Sequence, residues 1–316
     1  IVSITDKGYI KRMPFQAYKE QKRGGKGVIG ADLSTGDFVK QLITCSTHDY
    51  LLLFTQRGRV FWLKAYQVPE TQRYGRGQAI VNMLSLKEDN VSSVIPIKEF
   101  KNGYLFLATK LGVVKKMKLE MFANPRNTGV RAINLPLDNT DALIDVSVIS
   151  QAQEVMLTTA EGQAIKFNSD EVRDMGRASY GVTGVKLEKG DEVVSLVVVD
   201  KNSKDESVLT VTKDGYGKRS LIEDYRLTGR ACKGVINLKI TGKNGKVIRT
   251  VSVMNHDQII VTTEKVIMIK TPVKDIRVMG RATQGVRIIK LADNDKVADV
   301  AKLTKEEEIE TVEEKK

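Results

Sequence analysis

Short apolar stretches rich in Val, Ile and Thr recur along the whole chain, between polar stretches rich in Gly, Asp and Asn. One clear example starts with the β-branched run 207–211, which ends at Lys213-Asp214-Gly215 and is followed by runs at 218–222, 234–240 and 247–253. Runs of roughly four to eight such residues between turn-forming residues are typical of β-strands. No stretch of ten or more residues keeps an apolar period of 3.6, so helix is expected to be a minor component. The pattern predicts four short strands here.

The four-strand pattern is repeated six times. Each copy has a Thr-x-x-Gly turn after its first predicted strand, and successive turns lie 50 to 54 residues apart. A glycine at such a turn supplies the positive φ that a tight hairpin needs. The turn positions are Gly8, Gly58, Gly112, Gly162, Gly215 and, in a degraded sixth copy, Val266. A second glycine follows 19 residues later, or 17 in the third copy, at Gly27, Gly77, Gly129, Gly181, Gly234 and Gly285.

Six repeats of this size predict an all-β fold, a six-bladed propeller-like disc with four strands in each blade. The disc is expected to span residues 1–304, because the sixth repeat ends on a predicted strand at 297–303. The blades are placed at approximately 1–48, 49–101, 102–151, 152–205, 206–255 and 256–304. Residues 305–316 form an acidic tail that is expected to be disordered.

Charge adds a constraint on the partner. The chain carries a formal net charge of +12, and its last twelve residues hold three Lys and six Glu, so the remaining residues carry +15. This excess favours a polyanionic partner, either nucleic acid or an anionic surface. No apolar run is long enough to span a membrane.

The cysteines and the start of the chain bear on its compartment. Cys45 and Cys232 lie in repeats that are not neighbours, which predicts free thiols and a reducing cytoplasm. The first residues do not have the charged and apolar regions of a secretory leader, and the chain is expected to be an excised piece of a longer protein because it begins within a predicted strand.

Positive charge recurs at fixed places in the repeat. A basic residue lies four positions before the second glycine in five copies, and Arg126 stands beside that position in the third. These residues are Arg23, Arg73, Arg177, Arg230 and Arg281. Further cations lie on the outgoing arms of the hairpins and beside the second glycines, at Lys11, Arg12, Arg76, Lys115, Lys116, Lys218 and Lys233. Isolated lysines usually protect sheet edges, but equivalent positions in every blade lie on one ring, so we predict a basic belt that binds nucleic acid.

The first repeat has an unusual connection, which reads Gln21-Lys22-Arg23-Gly24-Gly25-Lys26-Gly27. Glycines let the backbone approach a phosphate closely and point its N–H groups at the oxygens. The three cations neutralise phosphate charge and release counterions. Residues 1–30 carry seven cations and two acids, the densest positive stretch of the chain. The connection is therefore predicted to bind a phosphate backbone.

This connection closely resembles the seven-residue box, Gln-Arg-Arg-Gly-Gly-Arg-Gly, that marks the first blade in the family of C-terminal domains of DNA gyrase A subunits. Lys22 and Lys26 replace two arginines of the box, which keeps the charge but loses the bidentate geometry of guanidinium groups. Residues 72–77 are similar to a degenerate second copy. The resemblance covers residues 1–304 and implies the six-bladed β-pinwheel of that family, with residues 21–27 as the main DNA-binding segment.

The resemblance also implies a function. The domain would be non-catalytic, would bind duplex DNA without reading its sequence, and would wrap the DNA around its basic rim for negative supercoiling by an ATP-dependent type II topoisomerase. The catalytic tyrosine and the ATP site of that enzyme would lie outside this chain. The implied partners are double-stranded DNA and, in an A2B2 heterotetramer, the gyrase B subunit together with the rest of the gyrase A subunit. The isolated domain is expected to be a monomer without cofactor or metal, from the bacterial cytoplasm at the nucleoid.

Other interpretations stay open. The topoisomerase IV version of the domain would steer DNA geometry without a full wrap, and the intact box favours gyrase over it. A protein-interaction scaffold would need apolar or aromatic patches, whereas aromatic residues make up only 6% of the chain. A propeller hydrolase would need polar residues converging on the channel, and the sequence shows no repeated acidic position. The tail could fold back on the belt and compete with DNA, or simply be a solvated end.

Overall fold

The fold was analysed in a computed structural model, which describes residues 1–14, 28–29, 37–72, 75–86, 89–150, 152–200, 203, 205–265 and 267–303. These residues form 24 strands in six four-stranded antiparallel sheets. The described helices are short 3₁₀ turns at Ala65–Gln67, Ile80–Asn82, Leu119–Phe122, Ser169–Glu171, Ile222–Asp224 and Val273–Asp275. The architecture is the predicted six-bladed propeller. No helix in the described part of the chain is long and apolar enough to cross a membrane.

Each repeat contributes four strands. The first strands are β1 (Val2–Thr5), β5 (Tyr50–Thr55), β9 (Tyr104–Thr109), β13 (Glu154–Thr159), β17 (Ser207–Thr212) and β21 (Gln258–Thr263). The second strands are β2 (Tyr9–Arg12), β6 (Arg59–Lys64), β10 (Val113–Lys118), β14 (Gln163–Asn168), β18 (Tyr216–Leu221) and β22 (Ile267–Pro272). The third strands are β3 (Val28–Ile29), β7 (Gln78–Ala79), β11 (Val130–Arg131), β15 (Val182–Thr183), β19 (Val235–Ile236) and β23 (Val286–Arg287). The fourth strands are β4 (Val39–Ile43), β8 (Val91–Ile97), β12 (Leu143–Ile149), β16 (Val193–Val199), β20 (Val247–Val253) and β24 (Val297–Leu303).

The third strand of each repeat leaves its own blade. The first sheet has the order β4-β1-β2-β7, so its outermost strand comes from the second repeat, and the other sheets follow the same rule. The prediction that each blade is one continuous segment of about fifty residues therefore needs correction, because every blade takes its outer strand from the next repeat.

The same exchange closes the ring. β3, from the first repeat, pairs with β22 of the sixth, with Ile29 opposite Ile267 and Val28 opposite Met268. Each blade of the ring is therefore joined by backbone hydrogen bonds to the repeat that follows it, and the last blade is joined to the first repeat.

Local chemistry explains the Thr-x-x-Gly turn. The Gly8 N–H donates to the Thr5 carbonyl at 3.0 Å, and the Tyr9 N–H donates to Oγ1 of Thr5 at 3.1 Å. The threonine hydroxyl accepts the equivalent N–H in five of the six copies, including the degraded sixth, through Thr5, Thr55, Thr109, Thr159 and Thr263. The turn therefore depends on the threonine as well as on the glycine.

Both landmark glycines lie where one repeat crosses the hairpin of the previous one. Gly58 has a φ of +79°, and its carbonyl accepts the N–H groups of Ala132 and Ile133. A Cβ on Gly58 would lie 2.8 Å from the Ile133 carbonyl oxygen, and one on Gly77 would lie 2.5 Å from that of Ile10. The period of the glycines therefore reflects the crossing of neighbouring repeats.

An aspartate lies two residues before the fourth strand in five repeats, contrary to the expectation that no acidic position recurs. These residues are Asp37, Asp89, Asp141, Asp191 and Asp295. Asp141 shows the pattern, because its Oδ1 accepts the N–H groups of Leu111 and Ala142, both at 2.9 Å. The carboxylates fasten the hairpin turn to the start of the fourth strand, so their recurrence has a structural cause.

The core lies between neighbouring sheets. One cluster joins Leu52 and Phe54 of the second blade to Leu105 and Leu107 of the third, and similar clusters fill the other interfaces described. Trp62 packs into this cluster, and its Nε1 donates to the Phe122 carbonyl at 2.9 Å. The apolar side chains are thus buried between neighbouring blades, and the outermost strand of each sheet lies at the rim of the ring.

Candidate nucleic-acid interface

Loops on the outer edges of the described blades carry about half of the residues of the predicted belt. In the second repeat the chain first runs beside the end of β2, where Glu70 pairs with Arg12 in parallel, and then returns as β7 in the antiparallel direction. It reverses between these contacts, and equivalent parallel contacts occur in repeats four to six. We call the reversing segments the outer loops; the described ones are 75–77, 124–129, 176–181, 229–234 and 280–285.

The predicted box at Gln21, Lys22, Arg23, Gly24, Gly25, Lys26 and Gly27 lies outside the described residues, as do Arg73 and the acidic tail. The strand that follows the box is described. β3 pairs with β22, so the chain directly after Gly27 lies on the outer edge of the sixth blade.

Three lysines predicted to contact DNA are buried instead. The side chains of Lys11, Lys115 and Lys218 lie beneath the outer loops of the second, fourth and sixth repeats. The Lys115 ammonium donates to the carbonyls of Ala132, Arg177 and Ser179 at 2.7 to 2.9 Å. Lys218 donates to the Gly280 carbonyl at 3.0 Å, and Lys11 to that of Gly75 at 2.7 Å. The prediction of direct DNA contact is corrected for these three: each holds an outer loop from below.

Burial changes the chemistry of two of these ammonium groups. Loss of hydration lowers the pKa of Lys115 to about 8, and it does the same for Lys218. The equivalent position in the other three repeats is apolar and equally buried, at Phe61, Ile165 and Ile269. At this position of the second strand, lysine and apolar residues therefore alternate around the ring. Every other outer loop covers a buried lysine side chain.

The next position along the second strand carries paired cations. Arg12 lies 2.7 Å from the carboxylate of Glu70, and its Nε donates to the Val68 carbonyl. Lys116 is 7% exposed and lies 3.6 Å from Asp170 and 3.5 Å from Asp174. Direct contact between Lys116 and DNA is therefore also corrected, because its charge is compensated within the fold.

The remaining belt residues reach the surface. Arg76, Arg126 and Lys233 are exposed, while Arg177, Arg230 and Arg281 are partly exposed. Arg230 Nη1 donates to the Thr183 carbonyl and Arg281 Nη1 to the Ile236 carbonyl, both at 2.9 Å. These carbonyls belong to equivalent third strands, so the two arginines repeat one geometry in successive blades.

Two of the exposed cations have specific partners. The guanidinium of Arg76 stacks 4.1 Å from the ring centroid of Tyr9. Lys233 lies 2.6 Å from the carboxylate of Glu188, and this hydrogen bond lowers the pKa of Glu188. Since both pairs lie at the surface, neither prevents the cation from meeting a phosphate.

The outer edge holds further cations that the sequence analysis missed. Arg173, Arg226 and Arg277 are exposed and recur eleven residues after the turn position, next to the parallel contacts of the outer edge. Their period was visible in the sequence. Arg131 and Arg287 lie on third strands, Arg131 opposite Arg59 and Arg287 opposite Tyr216. They occur in only two repeats, so no period could reveal them.

A second polar region lies on the axis of the ring, where inner strands of all six blades line a cavity of about 440 Å³. Arg249 on β20 lies 3.1 Å from Asp145 on β12 and 3.7 Å from Asp299 on β24. Burial raises the pKa of Asp299 to about 6, although the nearby Arg249 opposes the shift. In the described residues no three His, Cys, Asp or Glu side chains are grouped closely enough to hold a metal ion.

Comparisons with known proteins agree with the geometry. The family model "DNA gyrase C-terminal domain, beta-propeller" matches residues 1–46, 49–98, 103–150, 153–200, 206–253 and 257–309. The DNA gyrase A subunit of Salmonella typhimurium is 40% identical over 317 residues, which cover 99% of this chain and 36% of the relative. The chain thus spans about a third of the length of the curated relatives it matches.

Two solved structures are similar over nearly the whole chain. A structure of the DNA gyrase A C-terminal domain has a TM-score of 0.84 and 28% identity, and covers 96% of this chain and 99% of its own. A crystal structure of the C-terminal domain of DNA topoisomerase IV has a TM-score of 0.74 and 30% identity, with 96% and 92% covered.

Proposed function

Because the chain belongs to the family of DNA gyrase C-terminal β-propeller domains, we propose that it binds duplex DNA without reading its sequence and wraps it around its outer edge. The observation that carries the proposal is the recurrence of Arg177, Arg230 and Arg281 at one address on successive outer loops, all partly exposed. Backbone phosphates recur along DNA whatever its sequence, so a ring of cations suits sequence-independent binding.

Bending energy requires contacts on several blades. Wrapping roughly forty base pairs through half a turn or more costs on the order of 10 kcal/mol by elastic estimates. A charge-assisted hydrogen bond contributes about 1.5–3 kcal/mol at best, so one loop alone cannot hold the bend. In this proposal residues 21–27 anchor the DNA, and the exposed arginines of the outer loops extend the bend from blade to blade.

The role of the domain in a larger enzyme follows from its family. The domain serves negative supercoiling by gyrase, presenting a wrapped segment to a catalytic core whose tyrosine and ATP site lie in other parts of the enzyme. Its partners are duplex DNA and, in an A2B2 assembly, the gyrase B subunit together with the rest of the gyrase A subunit, in the bacterial cytoplasm at the nucleoid. The domain itself works as a monomer without cofactor or metal.

A second candidate function is the topoisomerase IV type, in which the domain steers DNA geometry without a full wrap. The similarity to the C-terminal domain of DNA topoisomerase IV, at 30% identity, favours it. The box at residues 21–27 favours the gyrase type, because the topoisomerase IV version of the domain has a degenerate or missing box.

DNA topology separates the two functions. The chain is bound to nicked circular plasmid, the nick is ligated, the protein is removed and the linking number is read on a gel. A shift that grows with protein and disappears when residues 21–27 are replaced by alanine supports wrapping anchored at the box. Binding without a shift would contradict wrapping and support the topoisomerase IV type.

A further inference from the structure

A cleft with three arginines opens between the hairpin turn of the second repeat and the segment that follows β11. Its volume is about 720 Å³, which lies in the range of ligand sites. Arg57, Arg59 and Arg131 line it together with Leu135, Leu137 and Asp141. We call it the arginine cleft; it belongs neither to the box nor to the belt predicted from the sequence.

Two of the arginines face each other across strands. Arg59 on β6 is paired directly with Arg131 on β11. Like charges in directly opposed positions destabilise a sheet, so this pair favours a bound anion. Arg59 Nη2 donates to the carbonyls of Thr128 and Gly129, and Arg131 Nη1 donates to Oδ1 of Asn134 at 2.8 Å. In the described part of the chain neither these two arginines nor Arg57 forms an ion pair with a carboxylate.

The charge of the cleft indicates which anion fits. Two aspartates lie in its wall, and both oxygens of Asp141 are already occupied, by two backbone N–H groups and by the hydroxyl of Tyr180 at 3.0 Å. The other, Asp89, accepts the backbone N–H of Arg57 at 3.3 Å. Among the described residues of the lining, three arginines and two aspartates leave one formal positive charge, which a phosphodiester with its single negative charge balances.

We propose that the arginine cleft binds a phosphodiester of duplex DNA where the DNA crosses the outer edge of the second blade. Guanidinium groups match phosphate oxygens with two parallel hydrogen bonds, and Arg131 lies on the outermost strand of its sheet. Leu137, which is 97% exposed, packs against the neighbouring sugar. The proposal rests on the proposed function. It adds a phosphate-binding site on the second blade, at residues that belong to no repeated sequence motif.

The salt dependence of DNA binding tests the proposed phosphate contact in the arginine cleft. Arg57→Gln/Arg131→Gln removes two cations of the cleft and leaves Arg59, which also holds the Thr128 and Gly129 carbonyls. The control Lys189→Gln/Lys243→Gln removes two exposed cations from the loops that precede the fourth strands β16 and β20. Loss of one phosphate contact makes the slope of log affinity against log salt shallower by about 1. We expect that change in the cleft variant and no change in the control; equal slopes in the two variants would overturn the proposal.

A second measurement separates the cleft from wrapping. The dinucleotide thymidylyl-thymidine carries a single phosphodiester and cannot wrap, and its binding is followed through the arginine Nε signals in ¹⁵N spectra. We expect saturable shifts in the wild type that are lost in the cleft variant and kept in the control. A wild type that binds the dinucleotide but leaves plasmid topology unchanged would contradict wrapping and still support the cleft. Absence of saturable shifts in the wild type would overturn the cleft.

Discussion

The guanidinium of Arg249 on β20 meets the carboxylate of Asp145 on β12, with 3.1 Å between Nη1 and Oδ2. The two strands belong to the fifth and third blades, so the contact spans the central cavity. Asp299 of the sixth blade lies 3.7 Å from the same guanidinium. One arginine therefore joins three blades around the axis.

Replacing Arg249 should destabilise the ring. Arg249→Met leaves the carboxylate of Asp145, 6% exposed, without its cationic partner. An unpaired buried charge of this kind costs about 3 kcal/mol, so the free energy of unfolding in urea should fall by that amount. Lys118→Met, at an exposed site, serves as the control. A loss no larger than that of the control would show that the contact across the cavity is energetically neutral.

Asp299 should make stability depend on pH. Its pKa of about 6 lies above the ordinary value, so the folded state holds this proton more tightly than the unfolded chain does. The resulting stabilisation is fully present below about pH 3.8 and is lost as the pH rises through 6. Asp299→Asn removes this dependence, and its stability relative to the wild type should improve by up to about 3 kcal/mol between pH 4 and pH 7. A difference that stays constant over this interval would contradict the raised pKa.

Lys115 should make stability depend on pH in the alkaline range. Its pKa of about 8 lies below the ordinary value, so the unfolded chain holds the proton more tightly between about pH 8 and 10.5. The stability of the wild type should therefore rise with pH in this range relative to Lys115→Met. At pH 7 the variant should lose about 2 kcal/mol, because three carbonyls lose their donor. Parallel pH profiles of wild type and variant would contradict a buried ammonium at this position.

The arginines of the outer loops should matter for DNA rather than for folding. Arg230→Gln/Arg281→Gln should weaken duplex binding about tenfold and make the salt slope shallower by about 2. The free energy of unfolding should change little, because both side chains are partly exposed. The lysine double variant Lys189→Gln/Lys243→Gln again provides the control. If both double variants lowered affinity equally, net charge rather than the position of the arginines would govern binding.

Much of the hairpin architecture could be predicted because its causes are local. The turn needs a threonine hydroxyl and a glycine within four residues, as at Thr5 and Gly8, and such chemistry is visible in any single copy. The strands Val247–Val253 and Val297–Leu303 were predicted with the bounds that the structure has, because both runs are rich in apolar residues and follow a lysine.

The third strands could not be predicted in the same way. The run 234–240 predicted a strand of seven residues, yet only Val235–Ile236 pairs, with β14 of the previous repeat. Asn237 and Leu238 then donate to the Gly162 carbonyl instead. The choice of a partner hairpin depends on how neighbouring repeats pack, and the composition of a single run carries no information about it.

Burial of the lysines was equally invisible in the sequence. Lys115 and Arg177 both look like surface cations on a repeated address, but Lys115 donates to the Arg177 carbonyl from below. Three carbonyls converge on the ammonium only after the fourth repeat has crossed the third blade. The spacing at which a charged residue recurs therefore predicts its position in each blade. Whether its side chain is exposed depends on the segment of the next repeat that covers it.

The pairing of β3 with β22 has a consequence for the order in which the protein can assemble on the ribosome. Val28 and Ile29 leave the exit tunnel about 240 residues before Ile267 and Met268, their partners. At ordinary translation speeds this interval is on the order of tens of seconds. Every earlier hairpin obtains its outer strand from residues about 65 positions after the hairpin ends, whereas the third strand of the first repeat must stay unpaired until the sixth hairpin has been made. The ring therefore closes only after the sixth hairpin has been made. A ribosome that stalls before that point leaves an open ring in which β3 lacks its partner strand β22.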